Sequence, residues 1–274
     1  AYMALGGIPF YMNFFNPSLS LAQNIDALFF ARNAKLGDEF NRLFNSVFDH
    51  AEESMQIVRV LGGRHAGYSR REIAEKTGIN PNGEFTKMLK ALIGSDFVCK
   101  YVPFGASSKE ECYKLTDPFC WFWLHFKESK RVSQEDYWQH HLRESEVAAW
   151  RGVAFEEVCL RHVKQIKQAL QIGAVSSTES AYVTKGDEKT EGMQIDLVID
   201  RNDDVVNLCE IKFSKSLYVI SQAYASRLAT RQETLEKSVR NKTFMLTYIG
   251  NSPLAENEYA DIFPCQLTSE DLFA

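Results

Sequence analysis

Residues 192–213 constrain the fold more than any other stretch of this chain. Two apolar runs stand there, Gly192-Met193-Gln194-Ile195-Asp196-Leu197-Val198-Ile199-Asp200 and Val205-Val206-Asn207-Leu208-Cys209-Glu210-Ile211-Lys212-Phe213. The polar turn Arg201-Asn202-Asp203-Asp204 separates them, which is the pattern of a β-hairpin. Side chains alternate along a strand. Gln194, Asp196 and Val198 are therefore expected on one face of the first strand, and Glu210 and Lys212 together on one face of the second. Carboxylates on apolar strands are costly to bury unless a cation accompanies them. Oxygens of Asp196 and Glu210, with the carbonyl of Ile211, form the hard donor set a divalent metal prefers. Such an ion polarises a phosphate and acidifies its bound water. Lys212 is placed to position that water or to stabilise developing negative charge.

The flanking sequence extends this pattern. Gly152–Leu160 reads as a helix, Ala181–Thr184 as a strand and Lys185–Glu191 as a polar loop. Tyr218–Arg240 reads as a long helix and Thr243–Ile249 as a buried strand. At about 100° per residue, Phe155, Val158, Cys159, His162, Val163, Ile166 and Leu170 form the inward stripe of the first helix. Glu156 lies at the edge of that stripe and Glu157 near the opposite side, so Glu156 is the expected helical acid.

The chain has 274 residues, close to two domains' worth at roughly 150 residues each. It is 45% hydrophobic and 24% charged, which excludes disorder over most of its length. A formal charge of −5 excludes a uniformly basic coat for nucleic acid but allows local patches. No run of about eighteen apolar residues occurs, so no membrane partner is expected. Cys99, Cys112, Cys120, Cys159, Cys209 and Cys265 are scattered without a CxxC pair and read as small hydrophobes of a reducing cytoplasm. The first residue is Ala1 rather than Met, and no secretory signal opens the chain. The expectation is a portion of a longer protein.

Four zones follow from composition. Residues 1–37 are apolar and aromatic and too short to fold alone; Pro17-Ser18 is the expected start of a helix carrying Ile25, Leu28 and Phe29 on one face. In residues 38–118, Phe40, Leu43, Phe44, Val47, Phe48 and Met55 have helical spacing. Ser69 then caps a short helix from Arg70 to Lys76, ended by Gly78. A second helix spans Glu84–Ser95, followed by strands at Phe97–Val102 and Cys112–Leu115. Helix, turn, helix and hairpin in this order resemble a winged helix-turn-helix. From Arg59 to Lys114 there are ten Lys/Arg against six Asp/Glu. Arg70, Arg71, Lys87, Lys90 and Lys109 are the candidate DNA contacts, a solvated face being the other reading. Residues 119–150, rich in Phe and Trp, read as a packed helical connector in which His125, His140 and His141 lack metal-ligand spacing. Residues 151–274 carry the chemistry. In their long helix, Arg227 and Arg231 share a face and, with Lys215, flank a phosphate track or simply a soluble face.

Asp196, then Glu210-Ile211-Lys212 beginning fourteen residues on, with Gly152-x-x-Phe155-Glu156 on a preceding helix, resembles the PD-(D/E)xK, restriction-endonuclease-like superfamily. That resemblance implies a site of Glu156, Asp196, Glu210 and Lys212, with the three carboxylates on Mg²⁺ or Mn²⁺. The whole chain is similar to the C-terminal portion of a prokaryotic AAA+-type ATPase family with a nuclease-like tail. The stretches Gly6-Gly7-Ile8-Pro9-Phe10-Tyr11 and Ser20-Leu21-Ala22-Gln23-Asn24-Ile25-Asp26 resemble its lid. No G-x-x-x-x-G-K-[ST] occurs, so ATP is expected to serve only the full-length protein. The expected fold is α/β (α+β): a helical, winged-helix region followed by a restriction-endonuclease-like mixed-sheet domain. The expected function is metal-dependent DNA cleavage. The alternatives are a nuclease fold that binds DNA or protein without cutting, or a structural regulator of the ATPase. The ATPase core and a homo-oligomer are the further expected partners.

Overall fold

The computed structural model describes residues 1–128, 135–184 and 193–274. The expected polar loop 185–191 lies outside the described residues. Helices and strands mix as expected of an α/β chain, and they divide into two compact units. One comprises Ala1–Tyr101 and Glu111–Ala154, the other Val102–Glu110 and Phe155–Ala274.

The first unit is built on aromatic packing. Phe29, Phe40, Phe44, Phe119, Phe122 and Phe126 are fully buried in a single cluster. Phe40 stacks on Trp123 with centroids 4.4 Å apart, and Phe29 meets Phe122 at 4.6 Å. Residues 1–37, too short to fold alone, are part of this core. Leu5, Phe29 and Leu36 are wholly inside it. Buried Asp26 accepts the backbone N–H of Trp138 at 2.6 Å and of Gln139 at 3.1 Å, tying the early helix to one 112 residues later. That early helix starts at Leu21, not at Pro17-Ser18, because Ser20 and Gln23 form a reciprocal capping box.

The expected helices between Arg70 and Ser95 form with small shifts in their ends. Ser69 accepts Glu72 N–H and starts a helix over Arg70–Thr77, and Gly78 closes it at φ +73°. A second helix covers Gly83–Gly94, its first N–H groups bonded to Asn82 Oδ1. Strands β1 (Tyr68–Ser69), β2 (Val98–Tyr101) and β3 (Cys112–Leu115) make an antiparallel sheet in the order β1-β3-β2. The residues joining β2 to β3 belong to the second unit: Phe104 N–H donates to Ala181 O, and its ring meets those of Tyr182 and Phe244.

The second unit is a five-stranded sheet. Strands β4 (Ser177–Thr184), β5 (Met193–Arg201), β6 (Val205–Lys212), β7 (Thr243–Gly250) and β8 (Cys265–Thr268) lie in chain order. Neighbours β4, β5 and β6 are antiparallel, whereas β6–β7 and β7–β8 are parallel. The helix Gln222–Ser238 makes the crossover between β6 and β7, as a parallel pair requires. It buries Leu228 and Leu235 against Val198, Leu208, Phe244 and Leu246. The sequence reading missed β8 and took the acid-bearing helix as continuous through Leu170. Instead Ser145–Arg161 ends at His162, whose φ of −110° breaks it, and a separate helix runs over Val163–Ala169.

Candidate functional site

The hairpin β5–β6 forms, but its turn is one residue shorter than the expected Arg201–Asp204: Arg201 ends β5, and the turn runs from Asn202 to Asp204, with Asp204 in the left-handed region at φ +62°. Its far end departs from simple alternation. Ser180 pairs with Val198 and Tyr182 with Ile195, so Asp196 and Leu197 together oppose the single residue Ala181. This is a β-bulge, which bends a strand and re-aims a side chain. The expectation that Val198 shares a face with Gln194 and Asp196 therefore fails, because the extra residue resets the alternation. Ile195 and Val198 enter the same core cluster, while Gln194 is exposed and Asp196 half-buried.

The re-aimed Asp196 carboxylate reaches the neighbouring strand. The pairing of β5 with β6 ends at Leu197 and Cys209. One step further, Asp196 Oδ2 accepts the backbone N–H of Ile211 at 3.3 Å, and Gln194 Nε2 lies 3.3 Å from Oδ1. The side chain thus takes the place of a ladder partner where the strands part, next to Glu210.

Glu210 is only 5% exposed on the central strand. Lys212 Nζ lies 2.5 Å from its Oε1, so the expected sharing of a face holds. The Tyr224 hydroxyl donates to the same oxygen, and an Arg231 Nη1 sits 3.7 Å from Oε2. Burial disfavours the charged form of Lys212, but Glu210, Tyr224 and Asp196 outweigh it and hold the ammonium protonated well above its usual range. Tyr224 is pushed up as well, first by burial and then by the Glu210 charge.

Glu156 joins this neighbourhood through a thiol. Cys159, one helical turn on, is raised well above its ordinary range by burial and then by Cys209, Glu156 and Asp196. Cys209 is raised by burial and by Asp196, Cys265 and Glu210. The wheel placing Glu157 near the outward side is corrected. Glu157 is 1% exposed and Glu156 half-buried, because Ala154, Phe155, Val158 and Cys159 are also covered and the helix is enclosed on more than one side.

The donor chemistry fits a hard divalent cation. Mg²⁺ typically takes one or two carboxylates and keeps water for the rest of its shell. Asp196 and Glu210 supply such a pair, although no three acidic, His or Cys groups converge tightly enough to cage an ion among the described residues.

The remaining expected contacts divide. Arg70 is committed inside the first unit, donating to Pro81 O, Asn82 O and Thr86 Oγ1 with its guanidinium 5.1 Å from the Phe85 ring. Arg71 pairs with Glu75 and Lys87 with Glu84 on the surface, and Lys90 is exposed. Lys109 lies in the segment belonging to the second unit, where Lys215 and Arg227 are exposed. Arg227 places its guanidinium 5.2 Å from the Tyr224 ring. Sequence reasoning missed Tyr224, which sits fourteen residues beyond Glu210 on another element and carries no motif. Among the described residues no helix is long and apolar enough to cross a membrane.

No protein-family model and no curated protein matches the chain. Among solved structures, the crystal structure of protein VC1899 from Vibrio cholerae aligns over 93% of this chain and 54% of that one. Its identity is 10% and its TM-score 0.32, a likeness that carries no argument. The chain spans about half the length of that protein.

Proposed function

We propose that the second unit is a metal-dependent nuclease domain acting on DNA, with the pair Asp196 and Glu210 holding Mg²⁺ or Mn²⁺. The observation that carries this reading is the bulge that turns Asp196 onto the Ile211 N–H, beside Glu210 and Lys212. A divalent ion bound there supplies a Lewis acid for the phosphate and a water of lowered pKa. The Ile211 N–H fixes one oxygen of Asp196. Lys212, protonated across the physiological range, stabilises charge on the phosphoryl oxygens or orients the attacking water. Arg227 and Lys215 are exposed on the same unit and supply phosphate-backbone contacts. Lys87, Lys90 and Arg71, on the helices of a winged-helix arrangement, supply further ones. A plasmid-nicking assay with Mg²⁺ or Mn²⁺ tests the reading on wild type, Asp196→Ala and Lys212→Ala. Nicking by wild type alone is expected, and equal activity in all three overturns it.

A second reading is favoured by the crowding of Glu210. Lys212, Tyr224 and Arg231 already surround it, so its charge is balanced without a metal. On this reading the unit binds DNA without cutting it. Salt-dependent gel shifts that are lost on charge reversal of Lys87 and Lys90, with no metal-dependent nicking, identify that case.

A further inference from the structure

The balance of charge around Glu210 points to a link between metal and nucleic-acid binding, an inference that rests on the metal-site reading above. Two cations face this one buried carboxylate, and they hold it differently. Lys212 is two residues away on the same strand and touches Oε1 at 2.5 Å. Arg231 reaches across from the Gln222–Ser238 helix to Oε2 at 3.7 Å, beyond hydrogen-bonding distance, and its side chain keeps 23% exposure. Glu210 would retain Lys212 and the Tyr224 hydroxyl if Arg231 left. Arg231 is thus the partner most easily exchanged. A divalent cation and a guanidinium at the same carboxylate repel each other strongly in a site of low effective dielectric. A released guanidinium offers planar, paired donors that match a phosphate.

We propose that Arg231 is an exchangeable placeholder. It neutralises Glu210 until a divalent cation binds, and the cation then frees it to bind the nucleic-acid phosphate. One side chain thereby couples the two binding events. Linkage makes the coupling reciprocal, so metal tightens DNA binding by the factor by which DNA tightens metal binding.

The test titrates Mn²⁺ into the whole 274-residue protein without DNA by calorimetry, and compares wild type, Arg231→Ala and Arg231→Lys. The expected result is Mn²⁺ binding at least roughly fivefold tighter in Arg231→Ala, with Arg231→Lys close to wild type. Stopped-flow anisotropy of a labelled duplex, read before any cleavage, should show Mn²⁺ tightening DNA binding in wild type and losing most of that effect in Arg231→Ala. Thermal melting checks that each variant folds, and Arg231→Gln replaces the alanine variant if it does not. Unchanged or weaker Mn²⁺ binding in the neutral variant overturns the placeholder role while leaving the metal site standing. No Mn²⁺ binding by any of the proteins overturns the metal site and the placeholder together.

Discussion

Asp196 Oδ2 accepts the backbone N–H of Ile211 across the hairpin at 3.3 Å, where the two strands part. A carboxylate is doing what a strand carbonyl would do in a continuous ladder. This is possible because the bulge opposite Ala181 inserts one extra residue and swings Asp196 toward β6. The bond places the acid next to Glu210 on the neighbouring strand.

Replacing that acceptor separates its structural and chemical roles. Asp196→Asn keeps an oxygen for the Ile211 N–H and should stay within about 1 kcal/mol of wild type, while weakening Mn²⁺ binding at the proposed site. Asp196→Ala should cost about 1–3 kcal/mol and speed hydrogen exchange at the Ile211 amide. Urea denaturation and amide exchange followed by NMR check both. Unaltered exchange at Ile211 in the alanine variant would show that the bond is not maintained in solution.

Tyr224→Phe removes the hydroxyl that donates to Glu210 and leaves the ring in place. A hydrogen bond to a charged acceptor in a protein is worth about 1.5–3 kcal/mol, so a loss of that order is expected. Glu210 keeps Lys212, and the fold should persist. A midpoint in denaturant equal to that of wild type refutes this.

Alkaline pH should weaken the second unit in two stages. Cys159 and Cys209 are held protonated above their ordinary value of 9.0, and Tyr224 and Lys212 above 10.0 and 10.5. In each case the folded state binds its proton more tightly than the unfolded chain. The stabilisation is therefore complete below the unfolded value and is lost as pH rises through the folded one. Melting temperature should be level from pH 7 to 8.5, decline as the unfolded thiols ionise, and decline more steeply above pH 10. The Cys159→Ala, Cys209→Ala double variant should lose the first stage relative to wild type, as melts over pH 8–11 would reveal.

The same burial makes a prediction about reactivity. Cys159 and Cys209 have no measurable exposure and raised pKa values, so native protein at pH 8 should leave both unmodified by a thiol reagent. Mass mapping after a brief reaction should find label on the half-buried Cys99, Cys112 and Cys265 first. Early label on Cys209 would mean that the sheet opens near the site.

In the first unit, Arg70→Ala should destabilise by about 1–3 kcal/mol, because the Pro81 and Asn82 carbonyls and Thr86 lose a shared donor. Arg71→Ala removes only an exposed pair with Glu75 and should cost under about 0.5 kcal/mol. Thermal melts of the two variants distinguish the clamp from the surface pair, and equal effects would contradict it.

Short-range features were legible from residues alone because their causes are local. Ser69 and Gly78 bound a helix through a capping bond and a left-handed closure that need only a few neighbouring residues. The two apolar runs around Asn202–Asp204 form adjacent strands, and two-residue spacing puts Glu210 and Lys212 side by side. The bulge at Asp196–Leu197 depends on register against β4, which no pattern within β5 specifies. Tyr224 and Arg231 reach Glu210 only because a crossover helix lies on that face of the sheet, and Glu157 is buried only because its helix is covered on several sides. Periodicity fixes which way a side chain leaves its own backbone. What it meets there is set by packing between elements distant in sequence, and that was decided by the tertiary structure.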